Sequence, residues 1–348
     1  MKRVLICALD WGLGHATRCI PIIRTLEKFG HEVTLASSGD AGILLKLEFP
    51  QLDYVELPAY NPHYSRAGSP IGSLVMQMPK FLRTIKKEND LVGSLVAERS
   101  VDVVISDNRY GCHSTRAKSI FLTHQLRLHI KGGWSIFNPW INSELVTATR
   151  WFNEVWVPDS PATSLCGHLL TGRVPFTYVG WLSRFSYHGE REKRYDVMAV
   201  VSGPEPQRSS FEHVVLEQLK RSGRSALVVT GQPGTRREEK SGLIEIVNHL
   251  SAVEMQHAMS QSDVILSRSG YSTIMDLITL KKKAVFVPTP CQPEQEYFGK
   301  VLHEHGVAYC MDQKNFVLDT AMKEATSFKG LGVLSNEDGL LEEQIENL

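Results

Sequence analysis

The 348-residue sequence has no excess of charge of either sign, since Lys plus Arg and Asp plus Glu both number 38. A balanced chain has no overall field that attracts nucleic acid or acidic lipid, so only local patches remain for such partners. No apolar run approaches the roughly 18 residues that a membrane-spanning helix requires. The first apolar run, residues 4–9, is too short for a signal peptide and is interrupted by Asp10. We therefore expect a cytoplasmic protein that does not bind nucleic acid.

Several catalytic and metal-binding motifs are also missing. The six cysteines are far apart and form no CxxC pair, which excludes a zinc knuckle and fits a reducing compartment. The GxxxxGK[ST] phosphate loop, the HExxH zinc motif and the GxSxG nucleophile elbow do not occur. No DxD pair follows a strand, so we expect no metal cofactor. Helix N-termini, backbone N–H groups and side chains would then neutralise any bound diphosphate.

The apolar pattern that is present predicts two α/β units in tandem. Residues 4–9 read as a buried strand, residues 15–29 as a helix, and residues 33–36 as the start of a second strand. A charged stretch without periodicity, residues 183–195, separates this unit from a second one in which strands and helices again alternate. Both units therefore have the pattern of doubly wound, Rossmann-like domains.

We place the domain boundary between the two units accordingly. Residues 1–180 form the first predicted domain and residues 181–348 the second, with the last helix able to pack back on the first. Doubly wound sheets bind ligands beyond the carboxyl ends of their strands. We expect two domains that face each other across a cleft, each with a ligand of its own.

The loop after the first strand, DWGLGH, is the first candidate site. Gly12 and Gly14 begin a dinucleotide fingerprint, but Thr17 occupies the third glycine position, which disfavours a nicotinamide oxidoreductase. Glycines still allow close approach of a ligand to the backbone, and a helix start offers N–H groups. His15 starts the helix, so its ring can project into a cleft, although a surface or capping residue is the simpler interpretation of such a histidine.

Two further polar loops follow predicted strands in the first domain. They carry Asp107, Arg109 and His124, which we expect at the same rim as the first loop. For each residue alone, a buried polar group that satisfies the backbone is the simpler interpretation. The basic, apolar helix predicted over 72–99 is interpreted as a solvated face rather than a membrane contact. The aromatic-rich stretch 131–156 is interpreted as packing rather than as an acceptor site.

The most informative stretch is 263–297, DVILSRSGYSTIMDLITLKKKAVFVPTPCQPEQEY, which reads as strand, polar turn, helix, strand and loop. Residues 263–276 follow the pattern D-x-x-x-x-R-S-G-x-x-T-x-x-[ED] of the GT-B glycosyltransferases. On this segment, the GLGH turn and the Ser202-Gly203 loop, the chain resembles the MurG-like group of glycosyltransferase family 28. The resemblance implies an α/β protein of the GT-B fold.

The resemblance also implies donor-binding roles for particular residues. Asp276 would hold the ribose hydroxyls, Gln295 the sugar hydroxyls, and the backbone around Ala252 the uracil edge. The remaining positions that it places at the donor, mainly at the diphosphate, are Ser202, Gly203, Arg268, Ser269, Gly270 and Glu296. Two donor positions depart from the family pattern, because Asp276 replaces the usual Glu and Glu296 replaces a Gln.

The resemblance places His15 near the acceptor, as a base or an electrostatic aid, in the first domain that also carries Gly12, Gly14, Asp107, Arg109 and His124 on the acceptor side. The first loop departs from the family as well, since Asp10 and Trp11 stand where the family is smaller and rich in glycine. Asp10 is therefore either a second candidate base or the carboxylate that orients His15.

The function implied is an inverting, metal-independent transfer of a GlcNAc-type hexose from a UDP-sugar to a hydroxyl group. The acceptor would be a cell-envelope glycan, a lipid-linked sugar or a small molecule, and the enzyme would lie in the cytoplasm or at the inner face of the membrane. Two alternatives remain open. One is a UDP-sugar 2-epimerase or hydrolase on the same fold, and the other is a protein that binds nucleotide sugars without catalysis.

Overall fold

The computed structural model describes residues 1–62, 76–128, 132–189, 191–203, 205–232, 238–334 and 339–348. Residue contacts divide the chain into two units. Unit 1 comprises Met1–Leu182 and Asn336–Leu348, and unit 2 comprises Ser183–Ser335. Each unit contains one doubly wound sheet with helices, as the sequence predicted.

The sheet of unit 1 has the strand order β3-β2-β1-β4-β5-β6-β7 among the described residues, and its paired strands are parallel. Its strands are β1 (Arg3–Ala8), β2 (Glu32–Ser37), β3 (Asp53–Glu56), β4 (Val103–Asp107), β5 (Lys118–Leu122), β6 (Glu154–Val157) and β7 (Thr177–Tyr178). Its first four helices are α1 (Leu13–Lys28), α2 (Gly39–Glu48), α3 (Met78–Arg99) and α4 (Asn138–Thr149). The order reverses at β1 and β4, which places the loops that follow these two strands side by side.

The apolar sequence of β1 favours its position at the centre of this sheet. Val4 to Ala8 are all buried, as expected for a strand that is covered on both faces by helices. One face packs with α3 through Val92 and Val96, in a cluster that includes Leu5 and Cys7. The loop after β1 is thereby fixed to the rigid core of the unit.

The sheet of unit 2 has the order β10-β11-β9-β8-β12-β13-β14 within the described ranges. Its strands are β8 (Tyr195–Val200), β9 (Ala226–Val229), β10 (Glu238–Ser241), β11 (Ile244–Val247), β12 (Ser262–Ser267), β13 (Lys283–Phe286) and β14 (Tyr309–Cys310). Its helices are α5 (Gln207–Ser222), α6 (Ala252–Ser260), α7 (Tyr271–Thr279), α8 (Pro293–Glu304) and α9 (Leu318–Ala325). The last helix of the chain, α10 (Leu340–Glu346), contacts α1 of unit 1.

Short 3₁₀ turns complete the regular structure, at Gly132–Phe137, Gly167–Leu169, Gln313–Asn315 and Leu331–Val333. Four elements have no counterpart in the sequence prediction: α2, α4, α8 and β10. The polar end of the stretch 263–297, which was predicted to be a loop, begins helix α8 at Pro293. Strand β10 consists of exposed polar residues and pairs antiparallel with β11, so it lacks the apolar alternation that marks a strand. Helix α2 has little separation of apolar and polar faces, although Ala41 and Leu45 are buried.

The basic helix of the sequence prediction corresponds to α3, whereas residues 72–75 lie outside the described residues. Phe81, Thr84 and Glu88 face the interior, and Arg83 and Lys86 are exposed. Of the helices that the structure describes, none has the length and apolar content needed to cross a bilayer.

Candidate active site

The loop between β1 and α1 brings His15 to the carboxyl end of the first sheet. Gly12, which precedes the helix, has φ 121° and ψ 163°, a conformation that is essentially restricted to glycine. The chain can therefore turn sharply from β1 into α1, and His15 becomes the third residue of the helix. Its side chain is 19% exposed, so the ring is reachable from solvent although most of it is covered.

Asp107, the last residue of β4, is the carboxylate that contacts His15. Its Oδ2 lies 3.1 Å from Nδ1 of His15, and the carboxyl side chain is only 1% exposed. Asp10 has no contact of this kind with His15 among the described residues. With the proton on Nδ1 and donated to Asp107, Nε2 of His15 is left with a lone pair, which is the form that a general base requires.

Arg18 lies one turn after His15 on α1 and contacts the side chains of His15, Asp107 and His124. Its Nε is 3.0 Å from each oxygen of Asp107, and its Nη2 also contacts Oδ1. Nη2 is 2.8 Å from Nδ1 of His15, and Nη1 is 2.9 Å from Nδ1 of His124. The predicted residues His15, Asp107 and His124 are thus brought together around an arginine that the sequence analysis did not single out.

The electrostatics of this cluster favour a neutral histidine beside an ionised carboxylate. Burial lowers the pKa of His15, Asp107 raises it, and Arg18 lowers it again, with a net value below the ordinary one. Burial opposes ionisation of Asp107, but Arg18 and His15 outweigh that effect and lower the pKa of this carboxyl to about 2. At neutral pH the pair therefore consists of an imidazole and a carboxylate.

Arg109 occupies the interior instead of the acceptor side. Its side chain is fully buried and donates to the carbonyl oxygens of Ala8 at 2.7 Å and Pro58 at 3.1 Å. It also donates to Oγ of Ser38 at 2.6 Å and forms an ion pair with Glu88. Because its nitrogens are engaged by the protein, Arg109 supports the loop after β1 and, contrary to our prediction, does not extend towards an acceptor.

Asp10 belongs to the same buried network as Arg109. Its Oδ1 lies 3.4 Å from Nη2 of Arg109, and its Oδ2 accepts a hydrogen bond from the backbone N–H of Tyr60 at 3.2 Å. The carboxylate is 4% exposed. This placement makes Asp10 a structural partner of the arginine, and His15 is the better-placed base of the two.

The aromatic residues of unit 1 divide between core and surface. Trp156 and Phe152 are buried, in agreement with the packing interpretation, whereas Trp140 is exposed. The side chains of residues 131–134 lie outside the described part of the chain. Trp11, in the first loop, packs against Phe81 with a distance of 5.6 Å between ring centroids and keeps one edge in solvent.

In unit 2 five of the predicted donor residues, Ser202, Gly203, Arg268, Ser269 and Gly270, lie on the loops after β8 and β12. The other four, Ala252, Asp276, Gln295 and Glu296, lie in helices. Ser202 and Gly203 follow β8 and are exposed, and Gly203 has φ 111°, which disfavours any residue with a Cβ. A Cβ at Gly203 would lie 3.9 Å from Oγ1 of Thr289, so the loop after β8 adjoins the loop after β13. Parallel strands bring these loops to one edge of the sheet.

Ser269 and Gly270 connect β12 to α7. Oγ of Ser269 is buried and donates to the carbonyl oxygen of Gln295 at 2.7 Å. Oε1 of Gln295 accepts a hydrogen bond from the backbone N–H of Thr289 at 2.8 Å, which ties the start of α8 to the loop after β13. Gly270 is the N-cap residue of α7, so the positive end of the helix dipole lies at this turn.

Arg268 is buried in the interior of unit 2. It donates to the carbonyl oxygens of Val287 at 3.0 Å, Pro288 at 3.1 Å and Gln207 at 3.2 Å, and its guanidinium lies 4.0 Å from the ring centroid of Phe211. Burial lowers its pKa to about 10. The side chain thus fixes the loops around the helix start, and a direct contact with diphosphate does not follow from this placement.

Asp276 lies in the middle of α7 and is nearly buried. Oδ1 accepts a hydrogen bond from Oγ of Ser183 at 2.7 Å, and Oδ2 lies 3.8 Å from Nε of Arg184. Burial raises the pKa of Asp276 above its ordinary value, although Arg184 and Ser183 act in the opposite direction. The carboxylate therefore binds one hydroxyl group of its own chain in this structure.

The two remaining predicted donor residues stand at helix starts. Ala252 is the first residue of α6 and follows Ser251, whose side chain and that of Glu254 form a capping box. Glu296 lies in the first turn of α8 and is partly exposed. The described residues contain no cluster of three His, Cys, Asp or Glu side chains suited to hold a metal ion.

Comparison with known proteins gives the class of the chain. Residues 208–328 match the model of the glycosyltransferase family 28 C-terminal domain. An uncharacterized glycosyltransferase of Methanosarcina acetivorans is 23% identical over 329 residues, which cover 87% of this chain and 84% of the relative. A UDP-N-acetylglucosamine–N-acetylmuramyl-(pentapeptide) pyrophosphoryl-undecaprenol N-acetylglucosamine transferase of Rickettsia prowazekii is 28% identical over 106 residues, or 30% of this chain and 26% of that protein.

Two solved structures share the fold. The MurG structure of Acinetobacter baumannii superposes with a TM-score of 0.59 at 14% identity, over 100% of this chain and 99% of that one. A Streptomyces glycosyltransferase solved with thymidine diphosphate superposes with a TM-score of 0.62 at 14% identity, over 100% of both chains. The chain is therefore a glycosyltransferase of the GT-B fold. Within that class it is similar to the MurG-like group of family 28, whose C-terminal domain its second unit carries.

Sequence reasoning missed Arg18, Glu88 and Ser183. Arg18 is three residues after His15, and this spacing puts both on one face of α1, a signal that the sequence does contain. The partners of Glu88 and Ser183 are far away in the sequence, at Arg109 and Asp276 respectively. No local pattern reveals such pairs.

Proposed function

We propose that the chain transfers a GlcNAc-type hexose from a UDP-sugar to a hydroxyl acceptor, without a metal cofactor and with inversion at the anomeric carbon. The observation that carries the proposal is the pairing of His15 with Asp107 beside the glycine loop of unit 1. The printed function of the Rickettsia relative supports UDP-N-acetylglucosamine as the donor. The thymidine diphosphate bound to the Streptomyces enzyme supports a nucleoside diphosphate in the second unit.

In the proposed mechanism, Nε2 of His15 takes the proton of the acceptor hydroxyl. The resulting oxygen nucleophile attacks the anomeric carbon while the bond from that carbon to the diphosphate oxygen breaks, so UDP leaves with the electron pair. Asp107 holds Nδ1 of His15 and stabilises the imidazolium that forms. A single displacement of this kind inverts the anomeric configuration.

Unit 2 supplies the donor contacts in this proposal. The start of α7 at Ser269 and Gly270 faces the diphosphate, because the helix dipole and N–H groups favour negative charge there. The Asp276 carboxylate accepts hydrogen bonds from the ribose hydroxyls, as it now accepts one from Ser183. Ser202 and Gly203 line the diphosphate, Gln295 and Glu296 read the sugar, and the backbone at Ala252 reads uracil.

The acceptor side belongs to unit 1, near the first loop. On α3 the exposed apolar side chain of Leu82 accompanies the exposed cations Arg83 and Lys86. Such a surface suits a lipid-linked acceptor at an anionic membrane. We accordingly place the enzyme in the cytoplasm, at the inner face of the membrane.

The donor assignment is tested by thermal shift with a panel of nucleotides and nucleotide sugars. Binding to the native state raises the unfolding temperature in proportion to the logarithm of ligand concentration over Kd. We expect stabilisation by UDP and UDP-GlcNAc and less by GDP, ADP or NAD. A preference for another nucleotide rejects the UDP assignment. Rapid loss of UDP-sugar without any acceptor would favour the epimerase or hydrolase alternative.

A further inference from the structure

Arg18 holds the centre of the cluster around His15, although no part of the proposed mechanism requires it. Its side chain is 2% exposed and contacts Asp107, His15 and His124 simultaneously. The groups that face His15 come from three elements: Asp107 ends β4, His124 follows β5, and Arg18 and Cys19 lie on α1. The thiol of Cys19 lies 3.8 Å from Oδ2 of Asp107.

The chemistry of a guanidinium determines what Arg18 can do to its neighbours. It donates hydrogen bonds, accepts none and stays protonated in proteins. Nδ1 of His124, 2.9 Å from Nη1, therefore acts as the acceptor in this contact, which assigns the ring proton to Nε2.

The two partners of Nδ1 of His15 require opposite protonation states of that atom. Asp107, at 3.1 Å, requires a proton on Nδ1, whereas Nη2 of Arg18, at 2.8 Å, requires a lone pair. A neutral ring satisfies one partner at a time. A doubly protonated ring would satisfy the carboxylate but would hold two positive groups 2.8 Å apart in a buried site, where Coulomb repulsion is weakly screened.

We propose that Arg18 is a positioning residue whose charge beside Nδ1 opposes a second proton on the His15 ring and so keeps the ring neutral. Nε2 is then free to accept a proton in the tautomer whose Nδ1–H is donated to Asp107. The proposal rests on the function proposed for His15. The same guanidinium takes both oxygens of Asp107, which limits how strongly the carboxylate can draw a second proton onto the ring. Arg18 thereby acts through two groups and touches no substrate.

The test uses the full-length protein with ¹⁵N-labelled histidine and follows the imidazole signals by NMR as a function of pH. In the unaltered protein we expect His15 to titrate below about 6.5, the ordinary value. The signals of His124 should show its ring proton on Nε2, as its contact with Arg18 requires. Titration of His15 at or above that value, or a His124 proton on Nδ1, overturns the proposal without any variant.

The variant Arg18→Gln removes the cation and keeps a polar side chain. We expect the His15 midpoint to rise, because Asp107 then faces the ring without competition. Arg18→Lys keeps the charge and should hold the midpoint near that of the unaltered protein. Arg24→Gln serves as the matched control, since Arg24 lies on the same helix with a half-exposed side chain paired to Glu48. An unchanged or lowered midpoint in a folded Arg18→Gln protein contradicts the proposal.

The pH profile of transfer gives a second readout. Each unit by which the His15 midpoint rises reduces the neutral fraction on the acid side about tenfold. The activity of Arg18→Gln should therefore fall at pH 6 much more than at pH 8. Since the NMR titration needs no turnover, failure of the proposed glycosyl transfer remains distinguishable from failure of the role given to Arg18.

Discussion

Nδ1 of His15 lies 3.1 Å from Oδ2 of Asp107, and the two residues come from a helix start and a strand end that are 92 positions apart in the sequence. The doubly wound topology explains the meeting, because β1 and β4 are neighbours and their carboxyl ends carry α1 and Asp107 to one rim. A histidine oriented by an ionised carboxylate is a standard arrangement for proton abstraction.

Asp107 should make the stability of unit 1 depend on pH in the acid range. Its pKa of about 2 in the folded chain is below the unfolded value of about 3.9. The stabilisation is therefore fully present above about pH 5 and is lost between about pH 5 and pH 1, by about 2 to 3 kcal/mol in total. Urea unfolding at pH 5 and pH 3 measures this loss in the unaltered chain and in Asp107→Asn.

Asp107→Asn should lack this contribution and should also be less stable at pH 7, by about 3 kcal/mol, because Arg18 loses its charged partner. Asp53→Asn is the control, since Asp53 lies on the exposed edge of the same sheet. Equal acid sensitivity of all three proteins would show that the Asp107 carboxylate is not held by Arg18.

Asp276→Asn should weaken UDP binding about 10- to 100-fold, because a charged acceptor bonded to hydroxyls contributes about 1.5 to 3 kcal/mol. Burial raises the pKa of Asp276, so the carboxylate is protonated early as the pH falls. The affinity of the unaltered protein for UDP should therefore begin to decline before the pH reaches the ordinary range for Asp. Isothermal titration with UDP at several pH values measures both effects. Titration with the 2′-deoxy and 3′-deoxy forms of UDP shows whether the ribose hydroxyls are the groups that Asp276 binds.

The matched control for this experiment is Asp263→Asn, because Asp263 lies on the preceding strand and pairs with Lys193 on the surface. We expect UDP to bind this variant as it binds the unaltered chain. If Asp276→Asn binds UDP normally, Asp276 serves only to hold Ser183 and Arg184.

Arg268→Gln should lower the free energy of unfolding of unit 2 by about 3 kcal/mol, because buried carbonyl oxygens of two loops lose their donor. Chemical denaturation measures the difference, with the exposed Arg221→Gln on α5 as the control. If the variant keeps full stability but loses UDP affinity, Arg268 contacts the diphosphate after all.

The strand–loop–helix segments were predictable because their signals are local. The glycine turn before His15 and the stretch from Asp263 to Gln295 combine apolar periodicity with turn residues within short windows. Each of these apolar runs forms a strand and is followed by a polar turn, whereas residues 293–297, which were predicted to be loop, begin helix α8. The order of the elements therefore predicted which loops lie at the carboxyl ends of the strands.

The partners of individual side chains were not predictable in the same way. Arg109 and Asp107 are two residues apart, yet one donates to interior carbonyls and the other binds His15. The partner of each side chain depends on the face of the sheet that the side chain reaches at the end of β4. That face is set by tertiary packing. Glu88 likewise lies on a helix that reads as basic and solvated, and its burial beside Arg109 is visible only in three dimensions.

The most direct measurement is the release of UDP from UDP-GlcNAc by the unaltered chain and by His15→Ala, with and without lipid-linked and water-soluble glycan fractions. The exposed His188→Gln serves as control. We predict release that requires acceptor and that falls about 100- to 10,000-fold in His15→Ala, the range for loss of a general base, with UDP affinity unchanged. Release that proceeds equally without acceptor, or that survives the loss of His15, would contradict glycosyl transfer with His15 as the base.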